Sequence, residues 1–256
     1  MSVIYTGHKF DGEANEENLY QVQCLATSTD GIHFERQGMI LDTPRGVHHF
    51  RDPKVWQEGD SWYMVVGARV DDVGEVQLYR SQDLQHWQFA STLGRADDGM
   101  GYMWECPDLF PLNDKLVFMF SPQGIAADGY DCRNLFQSGY MVGEWQDNLH
   151  FHVTHAFQEM DHGHDFYAPQ SFTTPDGRRI VIGWLAMWDS PMPELADGWA
   201  GMLTLPREVT LDTDQRLRMN PIKELESLRG PLHVWPVSEL HNRTLMVEEQ
   251  AHAIEV

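Results

Sequence analysis

The sequence predicts an all-β fold in which short antiparallel sheets are arranged radially, as the blades of a β-propeller. A proline beside a polar or acidic residue opens three apolar segments, at Pro53, Pro107 and Pro169. A second apolar segment begins nine residues after each proline, and turn-forming residues lie between the two. The prolines are 54 and 62 residues apart, which is typical of one four-stranded propeller blade.

Each pair of segments predicts a β-hairpin. The first segments run over residues 52–56, 107–110 and 169–172, and the second over residues 62–67, 116–121 and 178–184. The predicted turns are Glu58-Gly59-Asp60, Asn113-Asp114 and Asp176-Gly177.

A second repeat has a similar period. Residues 28–34 match residues 81–87 at a spacing of 53, each with a serine, an aspartate and a histidine in the same order. Serine and aspartate suit a turn, and the aromatic residue that ends each segment is expected to pack under a blade edge. His33 and His86 could also be metal ligands, but their recurrence at the blade period favours a structural role.

One segment has a helical pattern. Asn220 is placed to cap a helix, Pro221 to take its first position and Gly230 to end it, with an apolar residue every third position between them. We therefore predict a propeller over residues 1–219 and a linker helix over 220–230. Residues 231–256 give only fragments of strand.

The amino-acid composition disfavours several classes of function. Thirty-nine acidic residues against eighteen basic ones give a net charge of −21, which disfavours binding to nucleic acid or to an anionic membrane. No apolar run is long enough to span a membrane, and the first residues resemble a β-strand rather than a signal peptide. Three cysteines form neither a disulfide framework nor a metal motif, so we expect free thiols and a cytoplasmic location.

Two carboxylates hold near-equivalent positions in the repeat. Asp52 and Glu105 come shortly before the first strand of a blade, where polar groups from several blades converge around the propeller axis. Arg51 is expected to keep Asp52 ionised, whereas Trp104 and Cys106 should favour the protonated form of Glu105. One acid and one anion suit glycoside hydrolysis, although either residue alone could be a turn or capping acid.

Several longer motifs appear in a fixed order. The chain resembles glycoside hydrolase family 32, which includes the bacterial sucrose and sucrose-6-phosphate hydrolases, over roughly residues 3–230. The motifs are Phe50-Arg51-Asp52-Pro53-Lys54-Val55-Trp56, Met103-Trp104-Glu105-Cys106-Pro107-Asp108, and residues 163–172, followed by residues 178–184, 198–201 and 205–208.

The resemblance implies a five-bladed propeller followed by a β-sandwich, and retaining cleavage of a terminal β-D-fructofuranoside such as sucrose or sucrose-6-phosphate. By resemblance, Glu105 is the general acid/base. Asp52 is the transition-state stabiliser that binds fructose hydroxyls, and Arg51 is its ionic support. Tyr167 and Trp184 are substrate-pocket aromatics, although each could equally be a core residue.

The same resemblance implies no metal and no cofactor. The run Asp161-His162-Gly163-His164-Asp165 has metal-ligand residue types, but a pocket-wall or turn role fits the family better. The family pattern is entered late in the second blade, and residues 231–256 correspond to the start of the C-terminal sandwich.

Two family motifs do not occur in this sequence. These are Trp-Met-Asn-Asp-Pro-Asn-Gly, whose first Asp is the nucleophile, and Phe-Ser-Gly; the one Asp-Pro pair in the chain is Asp52-Pro53. We therefore expect a hydrolase lineage that is inactive or severely impaired in this chain. A non-catalytic fructoside-binding module is the alternative, and a protein-interaction scaffold is disfavoured because Arg51, Asp52 and Glu105 are all present.

Overall fold

The computed structural model describes residues 1–15, 18–146 and 149–231. These residues form sixteen β-strands and two short 3-10 helices. The first sheet contains β1 (Ser2–Phe10), β2 (Leu19–Thr27) and β3 (Glu35–Leu41). The second contains β4 (Val47–Glu58), β5 (Ser61–Val70), β6 (Val73–Ser81) and β7 (Trp87–Arg95).

The third sheet contains β8 (Met103–Leu112), β9 (Lys115–Gln123), β10 (Gly139–Gln146) and β11 (His150–Glu159). The fourth contains β12 (Tyr167–Thr173), β13 (Arg179–Leu185), β14 (Met202–Leu203), β15 (Arg207–Leu211) and β16 (Leu217–Pro221). Strand order follows chain order in the first three sheets, and all pairs are antiparallel. In the fourth sheet β12, β13, β15 and β16 are consecutive, and β14 also pairs with β13.

The all-β, propeller-like prediction is confirmed, and the three predicted hairpins are present as β4–β5, β8–β9 and β12–β13. The first two turn through Gly59-Asp60 and Asn113-Asp114, with φ of 58° at Gly59 and 56° at Asn113. A glycine or an asparagine tolerates this left-handed conformation, which explains why these residues signal the hairpin.

The number of blades differs from the expectation. The described residues form four sheets, whereas the resemblance implied five blades. A unit of 54 to 62 residues fits only about four times into the 221 residues that carry the strands, so the repeat length itself limits the number of sheets.

The core lies between successive sheets, because each sheet buries apolar side chains on the face that meets its neighbour. Between the first and second sheets these include Phe50, Met64 and Tyr79. Between the second and third they include Leu78, Trp104, Phe118 and Phe120. Between the third and fourth they include Phe110, Met119, Phe166 and Val181.

The first strand of the second, third and fourth sheets contains the same irregularity. In each, the pairing register shifts around a residue that precedes a proline. That residue has a positive φ, 64° at Asp52, 49° at Cys106 and 51° at Ala168. A positive φ is unfavourable for a residue with a Cβ, so each bulge is a strained position that the surrounding sheet must hold in place.

The segment predicted as a linker helix is different in the structure. Asn220 pairs with Glu208 in the β15–β16 ladder, so it is a strand residue and not a helix cap. Lys223–Leu228 forms a 3-10 helix with no side-chain cap, and Pro193–Asp197 forms another. Pairing with β15 outweighs the local capping signal because it satisfies the backbone groups of the whole segment.

Met1–Pro221 forms one compact unit. The predicted start of a C-terminal sandwich falls almost entirely on residues 232–256, outside the described residues, and stays a prediction. Within the described ranges, the structure contains no helix with the length and hydropathy needed to cross a membrane.

The second repeat forms the same turn twice. The carboxylate of Asp30 accepts hydrogen bonds from the backbone of His33 and lies 2.7 Å from its Nδ1, and Asp83 does the same for His86. This supports the structural interpretation of both histidines. The expected packing of the aromatic residues holds for Trp87, which contacts the core of the second sheet, but Phe34 is 40% exposed.

Candidate active site

The residues two positions before the three prolines meet at one place. Arg51, Glu105 and Tyr167 each lie on the first strand of a sheet, immediately before its bulge. Arg51 Nε donates a hydrogen bond to Glu105 Oε1 at 2.8 Å, and Arg51 Nη2 lies 2.7 Å from the same oxygen. The hydroxyl of Tyr167 donates to Glu105 Oε2.

Glu105 has a further donor in Gln123, whose Nε2 lies 2.7 Å from Oε2. The carboxylate is therefore surrounded by a guanidinium, an amide and a phenol. The apolar environment that Trp104 and Cys106 were expected to give Glu105 is not what the structure shows. Trp104 does not contribute to the surroundings of Glu105, because its indole is buried in the core between the second and third sheets. Alternation along β8 sends Trp104 into the core and Glu105 toward the site.

Asp52 is held by the backbone of the neighbouring sheet. Its Oδ2 accepts a hydrogen bond from Cys106 N at 3.0 Å and lies 3.5 Å from Cys106 Sγ, while Asp52 N donates to Thr6 Oγ1 at 3.1 Å. Burial raises the pKa of Asp52, and the negative charge of Glu105 raises it further. The charge of Arg51 and the Cys106 hydrogen bond act in the opposite direction.

Arg51 was expected to be the ionic support of Asp52, and its positive charge does favour the ionised form of that carboxyl group. Its guanidinium, however, forms its ion pair with Glu105. The lowering effect of Arg51 on the pKa of Asp52 is smaller than the raising effects of burial and of the Glu105 charge. The positive φ at Asp52 turns the two consecutive side chains toward different partners.

Buried glutamines in β2 support the start of this site. Gln21 Oε1 accepts hydrogen bonds from Phe50 N at 2.9 Å and from Arg51 Nη1 at 3.3 Å. Gln23 Nε2 donates to Phe50 O at 2.9 Å, and both glutamines are at most 3% exposed. Neither glutamine was predicted, although polar residues at alternate positions of an apolar strand are a detectable signal.

Four aromatic rings form a cluster that reaches Glu105 through Tyr167. Tyr167 and Trp184 are cross-strand partners, and the rings of Trp184 and Trp188 are parallel with centroids 6.3 Å apart. Trp188 also stacks on Phe136 at 4.8 Å and contacts Tyr167 edge-on at 5.1 Å. Both predicted aromatics are thus in the cluster; Trp188 and Phe136 were missed because they lie in loops without periodicity.

The histidine-rich segment before β12 forms a turn stabilised by charges. Asp161 Oδ1 accepts a hydrogen bond from Gly163 N at 2.8 Å, and Arg207 Nη1 lies 2.6 Å from Asp161 Oδ2. Nearby, ligand-type atoms of Asp131, Glu159 and His162 lie within 4.8 Å of one another. Glu159 already accepts the N–H of Cys132, and this cluster is separate from the residues around Glu105.

The fold and these residues can be compared with known proteins. Residues 1–221 match the N-terminal domain of the glycosyl hydrolases family 32. The chain belongs to glycoside hydrolase family 32. It is 51% identical to a sucrose-6-phosphate hydrolase of Escherichia coli over 100% of the chain, and 49% identical to an Escherichia coli raffinose invertase over 97%. It covers 54% and 52% of these relatives, so it spans about half their length.

Solved structures of the family share this arrangement. A Bombyx mori family 32 β-fructofuranosidase superposes with a TM-score of 0.85 and 43% identity, over 90% of the chain and 50% of the silkworm protein. A sucrose-6-phosphate hydrolase from Lactobacillus gasseri superposes with a TM-score of 0.80 and 28% identity, over 90% and 48% of the two chains. A mutant of the silkworm enzyme has been solved in complex with sucrose.

Proposed function

We propose that this chain carries the acid/base half of a β-fructofuranosidase active site, which cleaves the terminal β-D-fructofuranoside of sucrose or sucrose-6-phosphate with retention. One observation supports this above all. Asp52 and Glu105 lie on the first strands of neighbouring sheets, and Asp52 Oδ2 accepts the N–H of Cys106, the residue that follows Glu105. The two carboxyl groups are close enough for the charge of Glu105 to raise the pKa of Asp52. In glycoside hydrolysis, carboxyl groups around the scissile bond protonate the leaving group and stabilise an oxocarbenium-like transition state.

Glu105 is the proposed general acid/base. Its two oxygens are fixed by Arg51, Gln123 and Tyr167, which leaves the carboxyl group little freedom to rotate. Fixed orientation toward the leaving-group oxygen is what proton transfer to that oxygen requires. Arg51 is accordingly proposed as the ionic partner of Glu105, with Asp52 its secondary neighbour.

Asp52 is the proposed transition-state stabiliser. Its Oδ2 is occupied by Cys106 N–H, while within the described part of the chain Oδ1 makes no hydrogen bond. That oxygen can accept a hydrogen bond from a fructose hydroxyl. Tyr167 and Trp184 are proposed to line the same pocket. The hydroxyl of Tyr167 contacts Glu105, and Trp184 is the cross-strand partner of Tyr167.

The names of the relatives support a sucrose-type substrate, because they include sucrose-6-phosphate hydrolases, a raffinose invertase and a sucrose complex. We further propose that the nucleophile is not among these 256 residues, since the one Asp-Pro pair, Asp52-Pro53, is already assigned. Without a nucleophile the covalent step cannot occur. A non-catalytic fructoside-binding module is therefore the second candidate function.

The first test is release of glucose from sucrose by the purified chain, which we expect to be at trace level. Fusing the preceding blade of a family 32 relative to the chain should supply the nucleophile and restore turnover. In that fusion, Glu105→Gln should reduce turnover by about 10²- to 10⁴-fold, and Asp52→Asn by a comparable factor. A folded fusion that binds fructose but hydrolyses nothing would contradict the enzyme and favour the binding module.

A further inference from the structure

A second polar layer lies one step along the same three strands. The residues that follow the three prolines are Lys54, Asp108 and Gln170, and they also meet. Lys54 Nζ lies 3.1 Å from Asp108 Oδ2 and donates a hydrogen bond to Gln170 Oε1 at 3.2 Å. Asp108 is 1% exposed and the side chain of Lys54 25%, so this is a largely buried ion pair in contact with a neutral amide.

Asp108 is anchored firmly on the fourth sheet. Its Oδ2 accepts hydrogen bonds from Ser171 N at 2.8 Å and from Ser171 Oγ at 2.7 Å. Lys54 Nζ donates to Ser171 O at 2.6 Å, so the same residue binds both members of the ion pair. The layer therefore fixes the relative positions of β4, β8 and β12.

This layer is connected to the candidate active site through one residue. Gln170 Nε2 donates a hydrogen bond to the carbonyl oxygen of Cys106 at 3.0 Å. The N–H of the same Cys106 donates to Asp52 Oδ2. Cys106 has a φ of 49°, a conformation that a residue with a Cβ adopts only when its surroundings impose it.

We propose that Lys54, Asp108 and Gln170 are positioning residues, which hold Cys106 in its bulge conformation and thereby direct its N–H at Asp52. Gln170 acts directly on the Cys106 carbonyl, and the ion pair fixes Gln170. The meaning of this arrangement for catalysis rests on the proposed function, since it is that function which gives Asp52 its role.

Stability alone does not account for the layer. A buried ion pair contributes little net stability, because the desolvation of both charges offsets their attraction, and apolar side chains of similar size often serve as well. Orientation is what the layer adds: Lys54 holds the side-chain oxygen of Gln170, so that the amide N–H of Gln170 meets the Cys106 carbonyl oxygen.

Selective labelling of the chain with ¹⁵N-cysteine tests this proposal. The three cysteines give three amide signals. Cys106 and Cys132 both donate to a carboxylate, Asp52 and Glu159 respectively, which makes Cys132 a matched internal control. In Gln170→Met the Cys106 amide proton should shift upfield while the Cys132 signal stays in place.

The same variant should raise the pKa of Asp52, followed by carbon NMR of labelled aspartate, by about one unit, because one hydrogen bond to its charged form is weakened. Lys54→Met should also raise the pKa of Asp52. Lys54→Arg keeps the positive charge, so the pKa of Asp52 should stay close to that of the unchanged chain. A folded Gln170→Met variant with unchanged Cys106 and Asp52 signals would overturn the proposal.

Should these variants fail to fold, a measurement on the unsubstituted chain still tests the proposal. A hydrogen-bond scalar coupling between Gln170 Nε2 and the Cys106 carbonyl carbon is expected, and its absence would refute the contact on which the proposal depends. None of these measurements involves turnover. A fusion that fails to hydrolyse sucrose would therefore leave this proposal intact. Negative NMR results would overturn this proposal and leave the proposed function intact.

Discussion

The guanidinium of Arg51 lies 2.7 Å from the carboxylate of Glu105, and this ion pair joins the first strands of the second and third sheets. The two side chains are 16% and 12% exposed, so the pair is largely removed from water. Gly67, opposite Arg51 in the β4–β5 ladder, permits the approach, because a Cβ there would collide with the carbonyl oxygen of Trp104.

Removing the cation of this pair should destabilise the fold. We expect Arg51→Met to lower the free energy of unfolding by about 3 kcal/mol, since it leaves Glu105 largely buried without its charged partner. Urea denaturation followed by tryptophan fluorescence gives the value. Lys115→Met, which breaks the more exposed pair with Glu144, is the control and should cost at most about 1 kcal/mol.

Two further results bear on this prediction. Adding Glu105→Gln to Arg51→Met should recover part of the lost stability, because the uncompensated charge is then removed. Equal costs for Arg51→Met and Lys115→Met would show that the guanidinium is not required to compensate Glu105.

Asp52→Asn should stabilise the chain at neutral pH. Because burial raises the pKa of Asp52 above its usual 3.8, the folded state binds its proton more tightly than the unfolded state does. The ionised carboxylate therefore lowers the free energy of unfolding as pH rises from about 3.8 through the folded pKa, and this penalty persists above it. The melting temperature of Asp52→Asn should exceed that of the unchanged chain at pH 7 and converge with it near pH 3.5 or below. No difference at pH 7 would contradict the inferred cost of ionising Asp52.

His49 should make stability depend on pH in the opposite direction. The side chain is 3% exposed, and burial together with the charge of Arg51 lowers its pKa from 6.5 to about 4. Its neutral form stabilises the fold above pH 6.5, and this stabilisation is lost as pH falls toward 4 and through that value. In His49→Gln, the fall in melting temperature between pH 6.5 and 4 should be reduced. An unaltered pH profile in His49→Gln would refute this assignment.

The strained bulge of the fourth sheet predicts an unusual response to glycine. Ala168 has a φ of 51°, so Ala168→Gly relieves strain that offsets the entropy cost of glycine. We expect the free energy of unfolding to stay the same or rise by up to about 1 kcal/mol. The buried Ala186, which has no positive φ, is the matched control, and its change to glycine should be destabilising. Equal losses at the two positions would indicate that Ala168 is not strained.

Local signals in the sequence were sufficient for the all-β, propeller-like fold class and for three of its hairpins. The prolines and turn residues locate β4, β8 and β12 and their hairpins, because a turn and a strand depend on neighbouring residues. The signal at Asn220 failed because pairing with Glu208, on the preceding strand of the same hairpin, outweighed the capping preference of the residue itself.

The residues of the candidate site were easier to predict from the sequence than the contacts between them. Asp52 and Glu105 lie close together, as their near-equivalent positions in the repeat suggested. Tyr167 and Trp184, which the family resemblance implied, lie near them directly or through one neighbour. The partner of Arg51 could not be predicted, because a bulge decides which way consecutive side chains point and its positive φ has no sequence signature at an aspartate. Loop residues such as Trp188 leave no periodic signal at all.

Arg51, Glu105 and Tyr167 hold one position, two residues before a proline, copied three times along the chain. Such a repeat is what successive gene duplications produce, and rotation about a common axis then brings the copies face to face. At that single position the three strands carry a cation, a carboxylate and a phenol, which meet at one site. In a chain built this way, new chemistry at the centre needs one substitution in one copy, while the other copies preserve the scaffold that surrounds it.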